Sequence, residues 1–155
     1  MVSPELLRRY PFFSIFDERE LAQIAMATEE IACAAGEVIF EADAPATMLY
    51  VLIRGGLELS IVAADRHGQG LRQPFSAGEV NIGEVVGISA MIAPHVYTTR
   101  GQITEPSRVL KIDAAALRSL CAQNARLDAA VMHAVAQISM RRLHDVRVQL
   151  LSARS

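Results

Sequence analysis

Hydrophobic positions change period twice along this chain. Near the N-terminus, Leu21, Ile24 and Ala25 fall three and four apart behind Asp17 and Glu20, which predicts a helix opened by a capping box and ending near Thr28. Ahead of it, Ser3-Pro4-Glu5 places a cap residue and a first-turn proline at the start of another helix, which Pro11-Phe12-Phe13 breaks. From Ile31 to Ile112 the apolar runs become short. Ile31–Cys33, Val38–Phe40, Met48–Ile53, Leu57–Val62, Leu71–Phe75 and Arg108–Ile112 read as strands. Turn signals separate them at Ala35-Gly36-Glu37, Asp43-Ala44-Pro45, Arg54-Gly55-Gly56, Asp65–Gly70 and Ser76-Ala77-Gly78. Many short, evenly spaced strands suggest an antiparallel roll or jelly roll.

After Asp113 the helical period returns. Asp113 caps a helix over Ala114–Leu120, and Asn124 opens a longer one from about Ala125 to Leu151. In the long helix Ala129, Met132, Ala136, Ser139, Leu143, Val146 and Leu150 alternate steps of three and four, a heptad seam whose first half is small enough for two helices to approach closely. Met132, Ala136, Ser139, Leu143, Val146 and Leu150 are therefore the expected homodimer interface; the alternative is that the same stripe packs on the chain's own roll. Arg141, Arg142, Asp145, Arg147 and Gln149 lie off the seam, and their charges read as a solvated face. The pattern predicts an α+β fold: an antiparallel β-roll or jelly roll flanked by N-terminal helices and a long C-terminal helix. One domain is expected over 1–155, with helices in 1–28, the roll in 31–112 and helices in 114–151.

Composition narrows the function classes. The 155 residues are 52% hydrophobic and 21% charged, enough for a core and against a disordered chain. A net charge of −2 supplies no global field for nucleic acid or an anionic membrane. Cys33 and Cys121 stand far apart and read as reduced, buried thiols. No signal-type segment or run of about 20 apolar residues occurs, so a cytoplasmic location is expected. His67, His95, His133 and His144 have no metal-ligand spacing, and no nucleophile elbow, P-loop or HExxH motif is present. The expectation is no metal, no catalytic residue and no enzyme.

The chemistry concentrates in Gly83-Glu84-Val85-Val86-Gly87-Ile88 and the residues up to Tyr97-Thr98-Thr99-Arg100. This segment reads as a Gly-Glu turn, a short helical stretch, a Pro-His step and a strand. Glycine at such a turn lets backbone amides close on an anion, and the carboxylate can accept from a hydroxyl such as a ribose 2′-OH. A nucleotide-like ligand is suggested, although the segment lacks the basic residue that such a site would be expected to carry.

The run Ala35-Gly36-Glu37 to Leu57-Glu58-Leu59 and the Gly83-Glu84 segment together resemble the cyclic nucleotide-binding domain family of catabolite activator-type regulators and kinase regulatory subunits. The chain looks most like standalone bacterial members with a divergent phosphate-binding cassette. The resemblance implies a non-enzymatic ligand-sensing domain that signals through its C-terminal helix, with a cyclic nucleotide, cAMP or cGMP, as the candidate ligand. It implies ligand contacts from Gly83, Glu84, Val85 and Val86, from one of Thr98 and Thr99, and from Ser139 at the base. The family's phosphate-pairing arginine falls on His95. An arginine is always charged and matches a phosphate in two places, whereas histidine is mostly neutral at pH 7 and shorter in reach. Losing such a partner costs about 2–5 kcal/mol. Arg100, five positions on, would face away in a regular strand. Two alternatives stand beside this reading: a protein-interaction scaffold with a degenerate pocket, and a sensor of haem or another small molecule, with Cys33 or a histidine as axial ligand. Without a helix-turn-helix after the long helix, no DNA contact is expected. The chain is read either as a lone sensor domain or as part of a longer protein.

Overall fold

The computed structural model describes residues 1–61 and 74–154. The chain opens with α1 (Pro4–Leu7), capped by the Ser3 hydroxyl, and a 3₁₀ segment, Pro11–Ile15, where Pro11-Phe12-Phe13 was expected to break the helix. Helix α2 (Glu18–Met26) carries the predicted capping box: Asp17 accepts from the Glu20 amide and Glu20 from the Asp17 amide, both at 2.8 Å. The strands are β1 (Thr28–Cys33), β2 (Val38–Phe40), β3 (Met48–Ile61), β4 (Phe75–Val80), β5 (Val85–Val86) and β6 (Arg100–Asp113). Helices α3 (Ala114–Gln123) and α4 (Ala125–Ala153) follow, their N-termini capped by Asp113 and Asn124 as the sequence predicts.

Every strand pairing is antiparallel. The order is β1-β6-β3-β4, with β2 also on β6 and β5 also on β3. The fold is thus the expected β-roll with flanking helices. Leu49, Val51, Leu52 and Leu57 from β3 and Ile103, Leu110 and Ile112 from β6 are almost wholly buried with Phe13, Ile24, Leu117 and Leu127. Such side chains each contribute about 1.5–3 kcal/mol by leaving water.

Several expected boundaries are corrected. Arg54-Gly55-Gly56 does not end a strand; it bends one, so the two runs Met48–Ile53 and Leu57–Val62 form the single strand β3, with Val62 outside the described residues. Opposite the bend, β6 contains Pro106, and the register shifts between Arg54 and Leu57. A proline that cannot donate and a glycine at φ +103° allow a bulge where a regular ladder would fail. Ser107 repairs it: its hydroxyl accepts from the Gly56 amide at 3.0 Å and donates to the Glu105 carbonyl at 2.6 Å. Likewise Ser76-Ala77-Gly78 is no turn but a bulged part of β4, and β6 starts at Arg100, well before Arg108. The expected strand at Leu71–Phe75 and turn at Asp65–Gly70 lie outside the described residues, except that Phe75 begins β4.

The near end of α4 is tied down. Leu127, Val131 and Val135 are buried, and the buried carboxylate of Glu20 accepts from Asn124 at 2.9 Å and pairs with Arg126 at 2.9 Å. The capping box of α2 therefore also anchors the helix that covers the roll.

A Cβ added at Gly55 would sit 2.7 Å from the Ser107 Cα, in a backbone region that non-glycine residues avoid. Gly55→Ala should cost at least about 2 kcal/mol, read as a lowered urea midpoint. A loss within about 0.5 kcal/mol would show that the bend tolerates a side chain.

Candidate functional site

The cassette is pinned to β3 before it makes its turn. Tyr50 pairs with Val86 and Val51 with Val85. The Gly83 amide donates to the Leu52 carbonyl at 2.7 Å, and Glu84 closes its own turn by accepting from the Asn81 amide at 2.8 Å through Oε1. After β5, Gly87 turns left-handed at φ +80°. A Cβ there would meet the Met48 carbonyl oxygen at 3.0 Å and the Tyr97 ring at 3.3 Å, so this close approach selects glycine. The chain then forms a 3₁₀ turn, Ile88–Met91, that no side chain caps. It passes through a cis Ala93–Pro94 bond and a left-handed His95.

Tyr97 fixes the return. Its hydroxyl donates to the Met48 carbonyl at 2.7 Å and accepts from the Met48 amide at 3.2 Å. Its ring stacks on Phe40 at 4.5 Å, which in turn stacks on Tyr50 at 5.7 Å. Burial raises the Tyr97 phenol and pushes that of Tyr50 up to about 12, so both remain neutral donors in this wall.

Between the cassette and α4 lies a cavity of about 360 Å³, within the range of small-ligand sites. Val85, Val86 and Gly87 form its floor, and Val135, Ile138, Ser139, Arg142 and Val146 of α4 form its roof. The lining is mainly apolar, with hydroxyls from Ser89, Thr98, Thr99 and Ser139 and a single guanidinium, Arg142, among the described residues. The Ser139 hydroxyl donates to the Val135 carbonyl at 2.9 Å, which leaves its acceptor sites open. Arg142, only 14% exposed, donates from Nη2 to Glu84 Oε2 at 2.6 Å and from Nη1 to Asp145 at 3.4 Å.

The expected site residues divide accordingly. Val85, Val86, Thr98 and Ser139 line the cavity. Gly83 and Glu84 line a neighbouring groove with Phe12, Ile15, Gln137 and Arg141, and Glu84 meets the cavity through Arg142. His95 lines neither. Its backbone is held in a loop, with its amide on the Ile92 carbonyl and its carbonyl on the Ala46 amide, both at 2.8 Å. The strand expected at Val96–Thr99 is an isolated bridge from Val96 to Pro45 followed by a bend. Without strand alternation both threonines, not one, reach the lining. Arg100 is engaged elsewhere, at 2.6 Å from Glu41.

The largest correction concerns Arg142, expected on a solvated face. The stripe that α4 presents to the roll is Leu127, Val131, Val135, Ile138, Arg142 and Val146, one position off the heptad seam for much of its length. The signal was present as an apolar stripe at spacings of three and four with a cation in line. The seam itself is split: Met132 and Val146 pack on the domain's own core, while Ala129, Ala136, Ser139, Leu143 and Leu150 are exposed. Cys33 and Cys121 are free and buried, as expected; burial raises both to about 11, and neither lines the cavity.

The family model for the cyclic nucleotide-binding domain matches residues 30–124, and the chain belongs to that family. It is 34% identical to a provisionally named cyclic nucleotide-binding protein from Geobacter metallireducens GS-15, with a TM-score of 0.79 over 93% of this chain and 100% of that one. Two further structures share the fold at lower identity. The regulatory domain of Toxoplasma gondii PKA with cAMP has 14% identity, a TM-score of 0.69, and coverage of 84% of this chain and 48% of that one. The regulatory subunit of a cAMP-independent protein kinase A from Trypanosoma brucei has 18% identity, a TM-score of 0.70, and coverage of 88% and 45%. No curated protein matches the chain. No helix is long and apolar enough to cross a membrane among the described residues.

Glu84 and Arg142 are both largely shielded, so their charge-assisted bond should be felt in stability. Glu84→Gln should cost about 1–3 kcal/mol in thermal unfolding. Arg141→Gln, whose cation is 3.9 Å from Glu84 and mostly exposed, should cost less than about 0.5 kcal/mol. Equal losses from the two variants would contradict this assignment.

Proposed function

We propose that the chain is a non-enzymatic sensor that binds a cyclic nucleotide, cAMP or cGMP, between the cassette and α4 and signals through a change in α4 packing. The observation that carries this reading is the shared cavity: its floor is the glycine-turned cassette and its roof is the helix, so an occupant touches both. An occupant that prefers one helix arrangement shifts the population towards it. The apolar walls suit a base, and the hydroxyls and guanidinium suit a sugar phosphate.

Glu84 favours the second reading, an interaction scaffold with a degenerate pocket, because both of its oxygens already have partners. The haem reading lacks support from the lining. Tyr97 is the only phenol, thiol, imidazole or thioether among the described lining residues, and Met48 already holds its hydroxyl. Calorimetric titration with cAMP and cGMP should give saturable heat and a rise in Tm. Neither effect at millimolar nucleotide would eliminate the nucleotide reading in favour of the scaffold.

The sensor is further proposed to act as a homodimer through the outward face of α4. Leu143 and Leu150 are 50% and 49% exposed there, and Ala136 and Ser139 allow close approach. Light scattering should give twice the chain mass, and Leu143→Asp should return it to a monomer. A monomeric wild type, or an unchanged mass in the variant, would count against the dimer.

A further inference from the structure

Among the described residues the cavity contains one cation, and that cation already has a partner. Among the described lining residues only Arg142 carries positive charge. The cassette offers no competitor: His95 is outside the cavity and Arg100 is bound to Glu41. An anion entering here therefore meets Arg142, whose guanidinium presents five N–H donors in a flat fork suited to phosphate oxygens. Nη2 is on Glu84 at 2.6 Å, while Nη1 reaches Asp145 only at 3.4 Å.

The two oxygens of Glu84 have separate duties. Oε1 closes the Asn81–Glu84 turn through the Asn81 amide, and Oε2 takes the arginine. Releasing Arg142 would leave the turn bond intact and free Oε2 to accept from a hydroxyl. The site thus has two complementary halves that satisfy each other. Resting on the sensor reading above, we propose that Arg142 is the anion-holding residue of this domain and that Glu84 is its resident counter-ion. The ligand would enter by exchange of partners, its phosphate taking Arg142 and its adjacent hydroxyl taking Glu84 Oε2. The ligand class is a phosphate ester with a neighbouring free hydroxyl.

The exchange links occupancy to α4. The near half of the helix is fixed by Leu127, Val131 and Val135 and by the Glu20 contacts, whereas Met140, Leu143, Val148 and Leu150 beyond it are largely exposed. Arg142 lies where the fixed half gives way to the exposed half, with Asp145 packed near Gly78 of β4. A change of partner at Arg142 therefore acts on the part of α4 least held by the roll.

The test titrates the full chain with cAMP and with 2′-deoxy-cAMP, which keeps the phosphate and lacks the hydroxyl. Arg142→Gln should weaken both by about 10- to 100-fold, the loss expected of a charge-assisted bond. Glu84→Gln removes the competing anion and should bind 2′-deoxy-cAMP several-fold more tightly than wild type does. Wild type that binds neither nucleotide at millimolar concentration overturns the functional reading and the exchange together. Wild type that binds while Arg142→Gln is unaltered overturns the exchange alone, as does Glu84→Gln weakening both nucleotides equally. Amide hydrogen exchange of the ligand-free variants gives an independent readout. Exchange over 143–153 should quicken several-fold in either variant, and the double variant should add nothing further, because the two act as one pair. Unchanged rates in both would overturn the pair's hold on the helix.

Discussion

Strands β3 and β6 pair from Met48–Asp113 to Ser60–Arg100, and every other strand of the roll bonds to one of them. β1 and β2 lie on β6; β4 and β5 lie on β3. The ladder has to bend midway to curl into a roll. A left-handed glycine, a glycine facing Thr104 and Glu105, a proline without a donor and a serine that restores the lost bonds achieve this together. The bend matters to the site because β3 carries both the pairing edge for β5 and the Met48 carbonyl against which Gly87 packs. The cassette is positioned by the backbone of β3, so its shape follows from the ladder.

The second determinant is electrostatic. A carboxylate and a guanidinium taken largely out of water are costly unless they pair, and here they pair across the boundary between roll and helix. At 2.6 Å and with limited exposure, their attraction is screened far less than that of the exposed Arg8–Glu18 pair at 3.7 Å. The cation stands on α4, so in the proposed exchange the helix is part of the anion site. Charge recognition and helix position would then be one event, because the proposed recognising group is fixed to α4.

α4 therefore has three faces with different tasks. One buries Leu127, Val131 and Val135 and holds the helix to the core. A second brings Ile138, Ser139 and Arg142 over the cavity. A third leaves Ala136, Leu143 and Leu150 outward. Ser139 belongs to both the second and third, which is geometrically possible because residues three and four apart share a helix surface. A dimer formed on the outward face would place its interface directly behind the ligand roof.

The order of elements, the capping box, the caps at Asp113 and Asn124 and the cassette's place in the roll were all legible in the chain. Each rests on local rules: side-chain oxygens near free amides, and the periods of helix and strand. The glycine at the Gly83-Glu84 step was legible for the same reason, since only the local backbone decides its need. The long strands were misread at Gly55 and Gly78 because a bulge and a turn use the same residues; only the partner strand distinguishes them. Two threonines at the cavity followed from a non-strand bend at 96–99 that propensity does not reveal. Above all, the sequence by itself determined a β-roll with a glycine-bearing turn and a carboxylate but no cassette arginine. Only the tertiary structure decided where the cation comes from. Glu84 and Arg142 are 58 positions apart, and no local period connects them; they meet because the buried stripe of α4 turns Arg142 inward over the turn that carries Glu84.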